Sequence, residues 1–208
     1  MELKKTWLKL IGQYSINPSL QKKLWSEIET AYQQPERFYH NLEHLIYLVE
    51  LGIQYQSHIE DFNTLLFAIF YHDIIYQIKE KDNEIKSAEL AVEKLSLIKY
   101  PQTQIRKCYY QIIATKKHEL NQDKDTNLLL DFDLAILGEK RNKYLEYAEN
   151  IRKEYLIYPD HIYNQGRRQV LQEFLERNFL YKTKLFQDKF EETARKNLNW
   201  ELGQLRTN

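Results

Sequence analysis

The sequence predicts an all-α protein. Apolar residues recur at intervals of three and four along nearly the whole chain, and no stretch shows sustained period-two alternation. Only five glycines and four prolines punctuate 208 residues, which suits helices joined by short loops. The length fits a single-domain helical bundle over residues 1–208, with a core over about residues 20–158 and a C-terminal helical extension over about 160–205.

In chain order, Leu20, Leu24, Ile28 and Tyr32 repeat every four residues, and Pro35 stops that helix. Leu42, Leu45, Ile46, Val49 and Ile53 form a second stripe, with Asn41 placed to cap it. A third segment, around residues 62 to 78, is apolar on every side. Ile85, Ala88, Val92 and Leu95 mark a fourth helix after the start signal Asp82-Asn83. Pro101 suits the first turn of a fifth, which carries Ile105, Cys108, Ile112 and Thr115. A sixth runs from Asn127 to Leu137, closed by Gly138 as a C-cap. Tyr144, Ala148, Ile151 and Tyr155 mark a seventh, ended before Pro159. Two more pass through Val170, Phe174 and Leu175, and through Phe190, Ala194 and Leu198.

Composition narrows the function classes. Thirty basic residues balance thirty acidic ones, which argues against extended nucleic acid as a partner. A single cysteine cannot form an intrachain disulfide. The opening MELKKTWLKLIGQYS lacks the apolar core of a signal peptide, and no apolar run approaches the ~20 residues that span a bilayer. The expectation is a cytoplasmic protein.

Polar residues interrupt the most apolar segments. His44 lies in the first turn of the second helix, His72 and Asp73 in the third segment, and Asp131 and Asp133 within Leu128 to Leu137. Burying an unpartnered carboxylate costs several kcal/mol or more. Two neutral imidazoles and two carboxylates would balance one divalent cation, so a shared ion accounts for the arrangement. Mixed nitrogen and oxygen ligation suits manganese, iron, zinc, nickel or cobalt, and magnesium less well. Asp131 and Asp133 lie ~200° apart on a helix, so they cannot face the same ion.

These residues carry a family resemblance. His44, then His72-Asp73, then Asp133-Leu134 resembles the H…HD…D signature of the HD-domain metal-dependent phosphohydrolase superfamily. Tyr39-His40-Asn41-Leu42-Glu43-His44, Phe70-Tyr71-His72-Asp73, Asn83-Glu84 with Ser87-Ala88, Thr115-Lys116-Lys117-His118 and Leu130 to Gly138 are similar to an uncharacterised branch of predicted hydrolases within it. So are Gly166-Arg167 and Ala194 to Leu198. The resemblance implies an HD-type helical bundle, one divalent metal with room for a second, and hydrolysis of a small phosphate ester or nucleotide. It implies His44, His72, Asp73 and Asp133 as metal ligands, with Asp131 as the alternative fourth ligand. Asp73, His118 and His40 are then the candidate proton-transfer groups, and Arg37, Lys116 and Glu84 the candidates for substrate contact. Arg167, Arg177 and Arg195 read as structural ion pairs. No membrane partner is expected, and a homodimer is compatible with the sequence. Two alternatives come from other classes: a non-catalytic regulatory module that binds a nucleotide or metal, and an iron-dependent HD-fold oxygenase using His118 or His40 as an extra ligand.

Overall fold

The computed structural model describes residues 3–205; residues 1–2 and 206–208, which the expected domain includes, lie outside the described residues. Among the described residues the chain is helical, with no strand. Ten α-helices run in order through the described residues: α1 Leu3–Ile11, α2 Pro18–Tyr32, α3 Leu42–Gln54, α4 Phe62–Tyr71, α5 Asn83–Leu97, α6 Gln102–Ala114, α7 Lys124–Leu134, α8 Arg141–Glu154, α9 Asp160–Glu176 and α10 Lys184–Gln204. Short 3-10 turns occupy Gln56–His58 and Ala135–Gly138. None of these helices is long and apolar enough to cross a membrane. The chain forms two compact units, Met1–Leu129 and Leu130–Asn208, and α7 runs unbroken through the point of division.

In the first unit α4 is central, because a helix apolar all round must be surrounded. Every residue from Thr64 to Tyr71 is buried, and α3, α5 and α6 pack against it. From α1, Trp7 sets its ring edge-on to Phe67, Phe70 and Tyr71, at centroid distances of 5.9, 5.0 and 6.0 Å. Helix α1 is absent from the sequence expectation, although Leu3, Trp7, Leu10 and Ile11 have helical spacing and are all buried. Polar ties fix the lower ends of the helices. The Asp61 carboxylate caps α4, accepting from the Thr64 amide and hydroxyl at 3.1 and 2.6 Å, and Thr64 Oγ1 lies 2.7 Å from the Tyr100 hydroxyl just before α6. Asp125, at the start of α7, is wholly buried. It accepts from the Glu60 and Asp61 amides at 2.8 and 2.9 Å and pairs with Lys107 of α6 at 2.7 Å, which satisfies a carboxylate that could not otherwise be sequestered. Helix α5 ends in a Schellman motif: Lys99 takes φ 56°, its amide reaches Ser96 O, and that of Tyr100 reaches Leu95 O. Cys108 of α6 is fully buried, and desolvation pushes its thiol well above the usual range.

In the second unit α10 packs against α9 and the turn Ala135–Gly138. Asn197 donates from Nδ2 to the carbonyls of Leu137 and Glu139 at 2.8 and 2.9 Å. Arg167 and Glu201 form a buried bidentate pair, Nε–Oε1 2.7 Å and Nη2–Oε2 2.9 Å, and the Tyr144 hydroxyl donates to the same carboxylate. Arg195 pairs with Glu191 at 2.8 Å and donates to the carbonyls of Leu175 and Arg177.

Several boundaries differ from the sequence expectation. The third segment is helical only to Tyr71; His72 is its C-cap and Asp73 lies in the loop beyond. Pro101 is the N-cap position of α6, not its first turn. The sixth helix starts at Lys124 and gives way to a 3-10 turn after Leu134. Gly138 is not a left-handed C-cap, since no described glycine has positive φ. Its small size serves packing: a Cβ there would sit 2.5 Å from Phe190 Cβ and 2.9 Å from Phe190 O.

Gly138→Ala should therefore destabilise the protein by ~1–3 kcal/mol through overpacking, read as a lowered urea midpoint with an unchanged slope. Arg167→Ala should cost ~3–5 kcal/mol, because it strands a carboxylate only 8% exposed; adding Glu201→Leu should recover part of that loss in the same titration.

Candidate metal centre

The site begins with two helix ends. The Asn41 side chain caps α3, accepting from the Glu43 and His44 amides at 2.8 and 3.4 Å. This places His44 in the first turn, 3% exposed. His72 closes α4, its amide bonded to Ala68 O at 2.9 Å, and is fully buried. Its Nδ1 lies 2.8 Å from Ile69 O. A carbonyl only accepts, so Nδ1 carries the proton and Nε2 keeps a lone pair. That Nε2 is 3.2 Å from His44 Nε2. Two imidazole nitrogens so placed share either a proton or a cation.

The loop after His72 is held by side chains that bond its peptide groups. Ser87 Oγ, buried on α5, accepts from Ile75 N at 3.0 Å and donates to Ile75 O at 3.3 Å. One helical turn earlier, Asn83 accepts from Gln77 N at 3.1 Å and donates to Gln77 O at 2.9 Å. From the other side Arg37, 5% exposed, donates to Asp73 O at 2.6 Å, Ile74 O at 3.0 Å and His40 O at 3.3 Å. Its guanidinium lies over the rings of Tyr32 and Tyr76, 5.0 and 5.4 Å from their centroids. The Tyr32 hydroxyl accepts from Asp73 N at 3.2 Å. Arg37, expected to contact substrate, thus spends these donors on the main chain of the loop.

His44, His72 and Asp133 form a group that can hold a metal ion: each offers one ligand atom, and the three atoms lie within 4.8 Å of one another. The fit is chemical as well as spatial. With metal–nitrogen bonds of ~2.1 Å, nitrogens 3.2 Å apart subtend about 100° at a shared ion, an angle open to tetrahedral and octahedral centres alike. Two imidazoles and a carboxylate suit zinc, manganese, iron, cobalt or nickel. Asp131 is absent from this group. It accepts from Lys182 N at 2.6 Å, Thr183 N at 2.8 Å and Thr183 Oγ1 at 2.6 Å, while burial pushes its carboxyl up to about 6.

Asp73 stands beside the trio, its Oδ2 3.2 Å from His72 Nε2 and 3.9 Å from His40 Nε2. Both Asp73 and His40 keep some solvent access, at 17% and 19%. The His40 ring stacks against Tyr76 at 4.3 Å and approaches His44 at 5.7 Å. Lys116 and Glu84 meet each other at 3.5 Å, with Lys116 also donating to Lys81 O. His118 does not share a helix face with Thr115: α6 ends at Ala114, and His118 takes φ 48° in the following turn. Sequence reasoning missed Tyr32, Tyr76, Asn83 and Ser87 as loop-holding residues; Asn83 and Ser87 carried a signal in their four-residue spacing after the HD pair.

Replacing His72 by Ala should abolish stoichiometric metal measured by elemental analysis, and chelation should then lower Tm in the wild type by several degrees but not in the variant. Undiminished metal in His72→Ala would exclude this centre. Comparison of the chain with protein-family models, curated proteins and solved structures finds no match.

Proposed function

We propose that this protein is an HD-type, divalent-metal-dependent hydrolase of a small phosphate ester, with a nucleotide as the substrate class. One observation carries the reading: two buried imidazoles with Nε2 atoms 3.2 Å apart, grouped with a carboxylate, and a partly exposed carboxylate–imidazole pair alongside. The ordered motifs of the sequence point the same way.

His44, His72 and Asp133 would hold the ion, with Asp73 near enough to His72 to join them. A divalent ion bound there supplies Lewis acidity, neutralising phosphoryl charge and making a water more acidic. The chain's residues do the rest. Asp73, whose side chain is partly exposed, accepts the proton of the attacking water. His40, 3.9 Å from that carboxylate and stacked on Tyr76, is placed to donate a proton to the departing oxygen. Arg37 fixes both residues through their carbonyls, so its contribution is positional. Lys116 and Glu84, paired with each other in this structure, would serve as substrate contacts once the ion pair opens.

Asp73→Asn should lower kcat at least ~100-fold on the best substrate from a phosphatase and phosphodiesterase panel, with helical content unchanged. Full turnover in that variant would refute the role of Asp73. Ligand-induced stabilisation without turnover, across every metal tested, would assign the site to a binding module, and oxygen consumption by the iron-loaded protein would assign it to oxygenase chemistry.

A further inference from the structure

The grip on the loop between His72 and α5 is not evenly spread. Ile75 is held at both peptide groups by Ser87 Oγ, at 3.0 and 3.3 Å, and Gln77 at both by the Asn83 amide, at 3.1 and 2.9 Å. These are the two chain neighbours of Tyr76. Asn83 and Ser87 stand one turn apart on α5, so a single helix face clamps the backbone on either side of one residue. Arg37 adds a third hold. It binds the carbonyls of Asp73 and Ile74, and its guanidinium lies 5.4 Å from the Tyr76 ring centroid. Pinned on both sides, Tyr76 has few backbone angles left to explore, and its ring becomes a fixed surface on an irregular segment.

That surface is half-buried and faces His40. The two ring centroids are 4.3 Å apart and the planes 31° from parallel. Tyr39 and His44 meet the same imidazole nearer to edge-on, at 5.0 Å and 83° and at 5.7 Å and 69°. A flat contact sets the plane of a ring in a way that an edge contact does not. His40 Nε2 then stands 3.9 Å from Asp73 Oδ2. This separation exceeds a hydrogen bond, so the carboxylate does not itself orient the imidazole.

We propose that Tyr76 is the positioning residue of His40: α5 fixes the backbone on both sides of Tyr76, and the Tyr76 ring sets the imidazole plane that turns Nε2 toward Asp73. Asn83 and Ser87 therefore act on the site through this one ring. Only the consequence for turnover rests on the hydrolase reading; the orientation of His40 does not.

The test compares the wild type with Tyr76→Phe, Tyr76→Leu, Asn83→Ala and the double variant Tyr76→Leu/Asn83→Ala, each as the metal-loaded full-length protein. Tyr76→Leu keeps bulk but loses the flat face. It should lower kcat roughly tenfold on the best phosphate ester of the panel, with KM within about twofold of the wild type and metal content unchanged. Tyr76→Phe, which restores the face, should bring kcat back to within about twofold of the wild type. Asn83→Ala should cost about threefold, and nothing further once the ring is gone. If Tyr76→Leu fails to fold, Tyr76→Met replaces it. In the metal-free proteins, NMR follows the His40 ring protons, assigned against His40→Gln. The facing ring should displace them upfield in the wild type and in Tyr76→Phe, and the displacement should vanish in Tyr76→Leu. Unchanged kcat in Tyr76→Leu, loss of its metal, an equal loss of kcat in Tyr76→Phe, or additive losses in the double variant would each overturn the positioning role. If no phosphate ester turns over, the hydrolase reading falls and the NMR decides. His40 signals that move in Tyr76→Leu and in Asn83→Ala, and no further in the double variant, uphold the positioning role; signals that stay in place overturn it.

Discussion

The contact on which the site depends is the bond from His72 Nδ1 to the Ile69 carbonyl. It joins a buried ring to the last turn of the most buried helix in the first unit, and it decides which ring nitrogen is basic. With Nδ1 committed, Nε2 projects its lone pair toward His44, and the neighbouring carboxylates favour positive charge between them. Moving this ring would require moving α4, whose apolar surface is enclosed on all sides. The rigidity of the centre is therefore the rigidity of the core.

The segment beyond His72 is held by different means. A loop that leaves a buried helix exposes peptide groups to an interior that cannot solvate them. Here α5 answers with Asn83 and Ser87, each giving and accepting on one residue, and Arg37 binds three carbonyls with one guanidinium. A planar fork lying over two tyrosine rings does this where a lysine could not, since an ammonium has neither the spread nor the stacking face.

Much of the helical order was legible because period and caps agree: Asn41 predicts the start of α3 and caps it as expected. The boundaries went wrong where tertiary structure overrode local signal. The run through residues 67–76 stays apolar past the end of α4, because a buried loop needs the same side chains as a buried helix. Gly138 looked like a cap because glycine often is one, while its reason lies 52 residues away in Phe190, beyond any local pattern. At the site, His44, His72 and Asp133 were readable as polar interruptions of apolar faces. The role of Arg37 was not. A buried arginine bound to carbonyls looks identical in sequence to one that awaits a phosphate.

The enclosure of Cys108 has a practical side. Its sulfur is shut away in α6 with the thiolate disfavoured, so alkylating reagents meet it only when the α4–α6 interior comes apart. As the sole cysteine of the chain, it serves as a built-in clock for core opening, one that runs without any engineered label.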